Sequence, residues 1–402
     1  MIAKRAESLN PSITLSITAK AKAMKAAGLD VIGYGAGEPD FDTPQQIKDA
    51  AVAAINKGMT KYTPSVGTPV LREEICRKFK KDNDLEYKPE QIIVGSGAKY
   101  NLFTVIASLV EKGDEVVIPS PYWVSYPEMV NFAEGKNVFV DTVDNNFKLT
   151  AEMLESSITD RTKMVILNYP SNPTGWSYTK EELKELADVI VKKNILCLSD
   201  EIYEKLVYDG VKHVSIASLY EDIKQRTIVV NGVSKSYSMT GWRIGYAAGP
   251  IDIIKKVKMV HDHSTSNACS IAQAAALEGI RLDNNDDPGF KKVLDNMTAS
   301  FAQRRDAMVD RVNRISGLKC ARPQGAFYCF VDISGVLGKK CDGKVLKGSL
   351  EFCDMLLEKK NVAAVPGVAF GADSFIRLSY AMAESDLLRG LDRVEDFIKE
   401  LK

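Results

Sequence analysis

Between Ile92 and Gly249 the chain alternates short runs rich in Val and Ile with amphipathic stretches, a pattern that few folds accept. The runs are Ile92–Val94, Glu115–Pro119, Met164–Leu167, Ile195–Ser199, Thr227–Val230 and Ile244–Ala248. They end in Gly, Pro or polar clusters, as strands buried on both faces of a largely parallel sheet do. Between them lie helical patterns such as Lys180–Lys193, with Leu183, Leu186, Ala187 and Ile190 on one face. Strand alternating with helix predicts an α/β fold with helices on both faces of the sheet. The C-terminal third differs. Phe290–Ser316 reads as a long helix, followed by strands at Ala326–Asp332, Val362–Pro366 and Ser374–Ser379. A last amphipathic helix carries Leu387, Leu391, Val394, Phe397 and Leu401 at helical spacing. This predicts a smaller α+β domain. Gly335–Gly348, polar and rich in Lys and Gly, reads as a surface loop.

At 402 residues the chain has room for two or three domains of about 100–200 residues each. Lys+Arg and Asp+Glu both number 53, so overall charge gives no case for nucleic acid or an anionic membrane as partner. No apolar run nears the ~18–20 residues that span a bilayer. The seven cysteines are dispersed without a CxxC pair, which fits reduced thiols in a cytoplasmic protein better than a disulfide framework. The three histidines, His213, His261 and His263, form no HExxH frame, so no metal site is expected. Lys4, Arg5 and the nearby hydroxyl residues lack the apolar stretch of a secretory signal, and an ordinary N-terminal arm and helix is expected.

Four stretches carry chemistry. In Val230-Asn-Gly-Val-Ser-Lys-Ser-Tyr-Ser-Met-Thr-Gly-Trp-Arg243 a lysine sits among small residues after a strand, with an arginine eight positions on. A lysine that forms imines must lose its proton near neutral pH, which cationic neighbours and desolvation favour. A guanidinium nearby can grip a phosphate through its fork. Ile93-Val-Gly-Ser-Gly-Ala-Lys99 precedes a helical run, Tyr100–Val110, and strand, glycine loop and helix start together offer free N–H groups to a phosphate. GxxxxGK[ST] is absent, and Gly33-Tyr-Gly-Ala-Gly37 lacks the third glycine of GxGxxG. Asn168-Tyr-Pro-Ser-Asn-Pro-Thr-Gly175 is a tight turn at a strand end, whether or not it binds anything. Leu198-Ser-Asp-Glu-Ile-Tyr203 puts an acid where α/β folds bind ligands, though an acid there can equally cap the next helix.

In this order these stretches resemble the class I aminotransferases of the fold-type I pyridoxal-phosphate enzymes. The resemblance is strongest to the bacterial-type aspartate aminotransferase branch, some of whose members act on prephenate. It runs from about Asn10 to the C-terminus and includes Ala36-Gly-Glu-Pro-Asp-Phe-Asp-Thr-Pro44, Lys61-Tyr-Thr-Pro64, Ser120-Pro-Tyr-Trp-Val-Ser-Tyr126 and Phe375-Ile-Arg-Leu-Ser-Tyr380. It implies a large domain built on a mostly parallel seven-stranded sheet between helices. The implied division is an N-terminal arm with part of the small domain (1–45), the large cofactor domain (46–289) and the small α+β domain (290–402).

The resemblance also implies roles. Lys235 is the Schiff-base lysine and proton shuttle. Asp200 faces the pyridine nitrogen of pyridoxal 5'-phosphate, and Tyr203 and Asn172 its phenolate oxygen. Trp123 stacks on the ring. Gly97, Ala98, Lys99, Ser234 and Arg243 hold the phosphate, joined by Tyr62 from the neighbouring subunit of a homodimer. Many relatives carry a serine three positions before the lysine where this chain has Gly232, so Ser234 is the substitute hydroxyl. Arg377 clamps the substrate α-carboxylate, with Asn172 assisting and Gly37 and Trp123 lining the substrate pocket. The substrates implied are amino acids and 2-oxo acids, aspartate with 2-oxoglutarate first. Prephenate or arogenate, alanine and aromatic acids are alternatives, and a β-lyase is another. Thr14, Ser16 and Lys99 are candidates for reading a side-chain carboxylate. A cofactor-sensing transcription regulator on this fold would need a DNA-binding domain ahead of it, and nothing of that size is expected before residue 10.

Overall fold

The computed structural model describes residues 1–402. Its strands begin with β1 (Ile32–Gly33). The main sheet follows as β2 (Ile92–Gly95), β3 (Glu115–Ser120), β4 (Lys136–Asp141), β5 (Thr162–Asn168), β6 (Leu196–Asp200), β7 (Thr227–Gly232) and β8 (Gly245–Ala248). The last third holds β9 (Tyr328–Asp332), β10 (Lys340–Cys341), β11 (Lys344–Val345), β12 (Val362–Ala363), β13 (Val365–Pro366) and β14 (Phe375–Ser379).

The seven strands β2–β8 stand in the order β2-β8-β7-β6-β5-β3-β4. Neighbours from β7 to β4 are parallel, while β8 runs antiparallel to both β2 and β7. The mostly parallel sheet of the sequence reading is therefore present. Its central strands are buried throughout, as Val165, Ile166, Leu198, Val229 and Val230 are, which explains their unbroken apolar runs. The one strand of this sheet outside the Val- and Ile-rich runs of the sequence is β4. It lies at the sheet edge, partly exposed, with Lys136 and Asp141 at its ends, so half its side chains meet water and no apolar run marks it.

Helix Lys180–Lys192 shows why the flanking elements form where they do. Thr179 caps it and Glu182 reaches back to the Thr179 amide, satisfying two N–H groups that the first turn leaves open. Leu183, Leu186, Ala187 and Ile190 are then buried on one face. The last helix, Glu384–Lys399, buries Leu387, Leu391, Val394, Phe397 and Ile398, with acids in its first turn and Lys399 in its last, as the helix dipole favours.

Two expectations for the last third need correction. Val362–Pro366 is not one strand. It splits at Ala364 into β12, parallel to β1, and β13, antiparallel to β14. Gly335–Gly348 is not a plain loop but holds the β10–β11 hairpin, anchored by buried Cys341 and Leu346. Two apolar anchors among so many polar residues leave no periodic signal. The three-stranded sheet β13-β14-β9 and the main sheet share one apolar core, from Val116, Ile166 and Leu198 through Phe301 and Phe327 to Ile376 and Leu391. No helix is long and apolar enough to cross a membrane.

Candidate active site

The parallel strands β3, β5, β6 and β7 end on one side of the sheet, at Ser120, Asn168, Asp200 and Gly232. Strand ends of this kind leave a crevice where α/β folds bind ligands. A cavity of about 670 Å³ opens there, a size suited to a small ligand with a cofactor. Helix Ile13–Ala26 and the segment Gly33–Glu38 line it from one side, and β9 and β14 contribute Tyr328 and Arg377.

Lys235 stands on the single helical turn Val233–Ser236 that follows β7. Its Nζ donates to the Gly37 carbonyl at 2.5 Å. Burial pulls its ammonium pKa down to about 8, the nearby Glu38 carboxylate opposing and Arg243 and Arg377 helping. The amine can therefore be neutral close to physiological pH. Asp200 ends β6, 3% exposed. Its carboxylate accepts from the Tyr126 hydroxyl at 2.7 Å and the Ile202 amide at 3.3 Å. Burial outweighs both donors and raises its pKa to about 6.

Tyr203 is buried one turn further on, its hydroxyl 2.9 Å from that of Tyr328. Burial keeps its phenol well above its ordinary pKa, so it remains protonated. Asn172 lies in the turn after β5, its amide bonded to Asn168 Oδ1 at 2.9 Å. Its own Oδ1 accepts from Arg377 Nη1 at 2.8 Å. Arg377 sits on β14, 2% exposed, and Nη2 donates to the Gly35 carbonyl at 3.1 Å. Its Nε is buried without a partner, an open donor that a carboxylate would satisfy.

A second group of residues surrounds Arg243. Gly97, with φ +92°, precedes helix Ala98–Leu109, whose first N–H groups have no acceptor inside the helix. The Arg243 guanidinium packs on Gly97 so closely that a Cβ there would lie 2.8 Å from its carbon. Arg243 itself has φ +57° and is held by the carbonyls of Thr240 and Ser96. Ser234 lines the cavity beside it. Lys99 Nζ lies 4.8 Å from the Trp123 ring, its pKa lowered by burial and then by Arg243. Six cationic side chains (Lys22, Lys25, Lys99, Lys235, Arg243, Arg377) line the cavity against two carboxylates, Glu38 and Asp200, in a chain of zero net charge. The cavity is built for anions.

The residues singled out in the sequence thus converge, with three qualifications. Gly97 underlies the arginine rather than facing the cavity. Tyr62 is 92% exposed and stands apart from the cavity within one chain. Ser16 faces away: residues 13–26 form a helix, so Ser16 points ~200° from Thr14, and Thr18 joins Thr14 on the cavity side instead. Tyr126, Asn168 and Tyr328 also line the cavity, beyond the residues to which the sequence assigns a role. Tyr126 and Asn168 lie inside motifs that carry the family resemblance, whereas Tyr328 is marked only by its strand.

A family description, aminotransferase class I and II, matches residues 29–394. The chain belongs to this family. The aspartate aminotransferase of Geobacillus stearothermophilus is 51% identical, with 99% of each chain covered. The probable aspartate/prephenate aminotransferase of Aquifex aeolicus (strain VF5) is 45% identical over 100% of this chain and 99% of its own. Among solved structures, the Rhizobium meliloti aspartate aminotransferase superposes with a TM-score of 0.94 at 45% identity, covering both chains fully. The Thermus thermophilus aspartate aminotransferase with maleate gives 0.92 at 39% identity, over 98% of this chain and 99% of that one. This aminotransferase therefore acts on amino-acid and oxo-acid substrates, and its cavity holds the acid, amine and guanidinium groups such chemistry requires.

Proposed function

We propose that this aminotransferase moves the amino group of aspartate to 2-oxoglutarate by a ping-pong mechanism on pyridoxal phosphate. The observation that carries the reading is one anion-binding cavity holding a lysine with a lowered pKa, a buried carboxylate and an arginine with an open donor. The residues fit the cofactor group by group. Arg243, Ser234 and the first N–H groups of helix Ala98–Leu109 suit its phosphate. Asp200 suits a protonated pyridine nitrogen, Tyr203 and Asn172 a phenolate oxygen, Trp123 a ring face and Lys235 an aldehyde. When bound, the cofactor supplies the carbon that carries the amino group and a ring that draws electrons from the substrate α-carbon.

Lys235 carries out the proton transfer. With the cofactor bound, its neutral amine would take the proton from the substrate α-carbon and deliver it to the cofactor carbon that receives the amino group. Arg377, held by Asn172 and the Gly35 carbonyl, takes the α-carboxylate and orients the Cα–H bond. Asp200 stays ionised beside a cation, where Coulomb attraction offsets its burial. Lys99 and Thr14, whose Oγ1 is buried without a partner, are placed to receive the side-chain carboxylate of aspartate.

The molecule works as a homodimer in this reading. Val52, Ile55, Met59 and Val70, all within ten positions of Tyr62 along the chain, are exposed apolar side chains that a second copy would cover. Tyr62 would then reach the partner's phosphate. The division at 45 and 289 is supported by β1, which pairs with β12 rather than with the main sheet. Seven unpaired cysteines support a cytoplasmic location.

A half-reaction screen tests the substrate. The loaded enzyme is mixed with single amino acids without an oxo acid, and conversion of the cofactor to its aminated form is followed by absorbance. Aspartate and glutamate react fastest if the reading holds. Fastest reaction with alanine or aromatic donors moves the substrate class, and reaction with arogenate adds prephenate activity. Release of ammonia and pyruvate without amination of the cofactor identifies a lyase.

A further inference from the structure

Tyr328 touches both halves of the site and has no role in the mechanism above. It is 1% exposed on β9. In the β9–β14 register Arg377 faces Phe330 and Ser379 faces Tyr328. Tyr328 and Arg377 are therefore diagonal neighbours on one face of the small sheet, within reach of each other. The Arg377 guanidinium lies over the Tyr328 ring, 4.4 Å from its centroid, and 5.1 Å from that of Phe370. A guanidinium between two ring faces loses much of its freedom to turn, and the contact is attractive. At its other end the Tyr328 hydroxyl meets that of Tyr203 at 2.9 Å. It also lies 3.4 Å from where a Cβ on Gly37 would stand, the residue whose carbonyl receives Lys235.

We propose that Tyr328 is a positioning residue that couples the carboxylate side of the site to the cofactor side, its ring setting the plane of Arg377 and its hydroxyl setting the direction of the Tyr203 proton. This rests on the roles proposed above for Arg377 and Tyr203. Two hydroxyls 2.9 Å apart share one proton between their oxygens. Tyr203 can donate into the cavity only if Tyr328 donates to Tyr203. Such a chain strengthens the outer donor. The Arg377 cation over the Tyr328 ring polarises its hydroxyl as a donor. Filling Arg377 with a carboxylate reduces that bias, so carboxylate binding is felt at Tyr203.

The test uses the loaded enzyme and succinate, a dicarboxylate with neither amino nor oxo group, so no turnover is needed. Four quantities are read: succinate affinity, cofactor affinity, the pH midpoint of the bound cofactor's absorption change, and the melting temperature. Tyr328→Phe keeps the ring and removes the hydroxyl. It should shift the midpoint, leave succinate affinity within about twofold, and weaken the cofactor by roughly 3- to 10-fold. Tyr328→Leu should in addition weaken succinate by roughly 3- to 30-fold. The midpoint shifts of Tyr328→Phe and Tyr203→Phe should not add in the double variant. An unchanged midpoint in Tyr328→Phe, additive shifts, or equal loss of succinate affinity in Phe and Leu variants alongside a common fall in melting temperature would each overturn the proposal. Arg377→Ala is the reference. If it leaves succinate affinity intact, the role of Arg377 itself is wrong and the coupling falls with it. If it weakens succinate and Tyr328→Leu does not, only the coupling is wrong.

Discussion

At the scale of single residues, environment sets the chemistry. Lys235 and Asp200 are pushed by the same force, burial, toward their neutral forms, one to about 8 and the other to about 6. For Lys235 the neutral form is the reactive one. Covalent capture of pyridoxal phosphate by the empty protein should accelerate as pH rises toward 8 and level off above it, and a rate that goes on climbing well past that pH would mean the amine is not desolvated. Lys235→Ala should still bind the cofactor but lose about 10²- to 10⁴-fold or more in turnover. Near-normal rates would identify another lysine. For Asp200 the useful form is the charged one, present above its pKa. Cofactor affinity should fall as pH drops through 6, measured by spectral titration, and Asp200→Asn should be weak at every pH. Arg377→Ala should cost roughly 2–5 kcal/mol of dicarboxylate affinity, because the Asn172 carbonyl and a buried carboxylate would lose their cation together.

At the scale of elements, the segment after β6 alternates between two environments. Asp200 and Tyr203 face the cavity, while Glu201, Glu204 and Lys205 turn into a buried ionic layer behind it. Glu201 accepts from Ser199, Ser215 and His213. Glu204 pairs with Lys78, itself 2% exposed, and accepts from Asn83. Lys205 bridges Asp82 and Asp283. Burial would raise the Glu204 carboxyl, but the attraction of Lys78, His213 and Lys205 together holds it at about 2. A depressed carboxyl stabilises the fold above its ordinary pKa of about 4.5, and that contribution is lost as pH falls from there toward 2. Lys78→Met should leave Glu204 uncompensated and destabilise by roughly 3–5 kcal/mol in urea unfolding at neutral pH. It should also remove this acid-induced loss. A change below 1 kcal/mol would show that the layer contributes little to holding the segment.

At the scale of the whole molecule, one chain assembles its cavity from strand ends of the main sheet, the N-terminal helix and β14, yet leaves Tyr62 exposed. The dimer reading makes that exposure testable by subunit mixing. Lys235→Ala and Tyr62→Ala chains should each be poor alone. A mixed dimer has one site with Lys235 from one chain and Tyr62 from the other, so co-refolding should restore part of the activity. No restoration would mean each site is complete within its own chain. Light scattering at twice the mass of one chain checks the assembly independently.

Local order was readable in the amino-acid sequence wherever it leaves a local pattern. Buried strands appear as apolar runs, Thr179 and Glu182 mark a helix start, and Lys235, Asp200, Asn172 and Arg377 lie in motifs that resemble a known family. Patterns fail where burial is partial or contact is long-range. The edge strand β4 is half in water. The break at Ala364 exists only because β12 and β13 meet different partners. Ser16 and Thr14 are two residues apart in the chain but on different sides of a helix. Tyr328 lies 125 positions from Tyr203 and shares its hydroxyl bond only after β9 packs beside β14. Sequence determined which chemical groups were available and where the buried strands and amphipathic helices would form, because those leave patterns among neighbours a few residues away. Tertiary structure decided which groups meet and how far burial moves their protons, because desolvation depends on every segment that closes around the site.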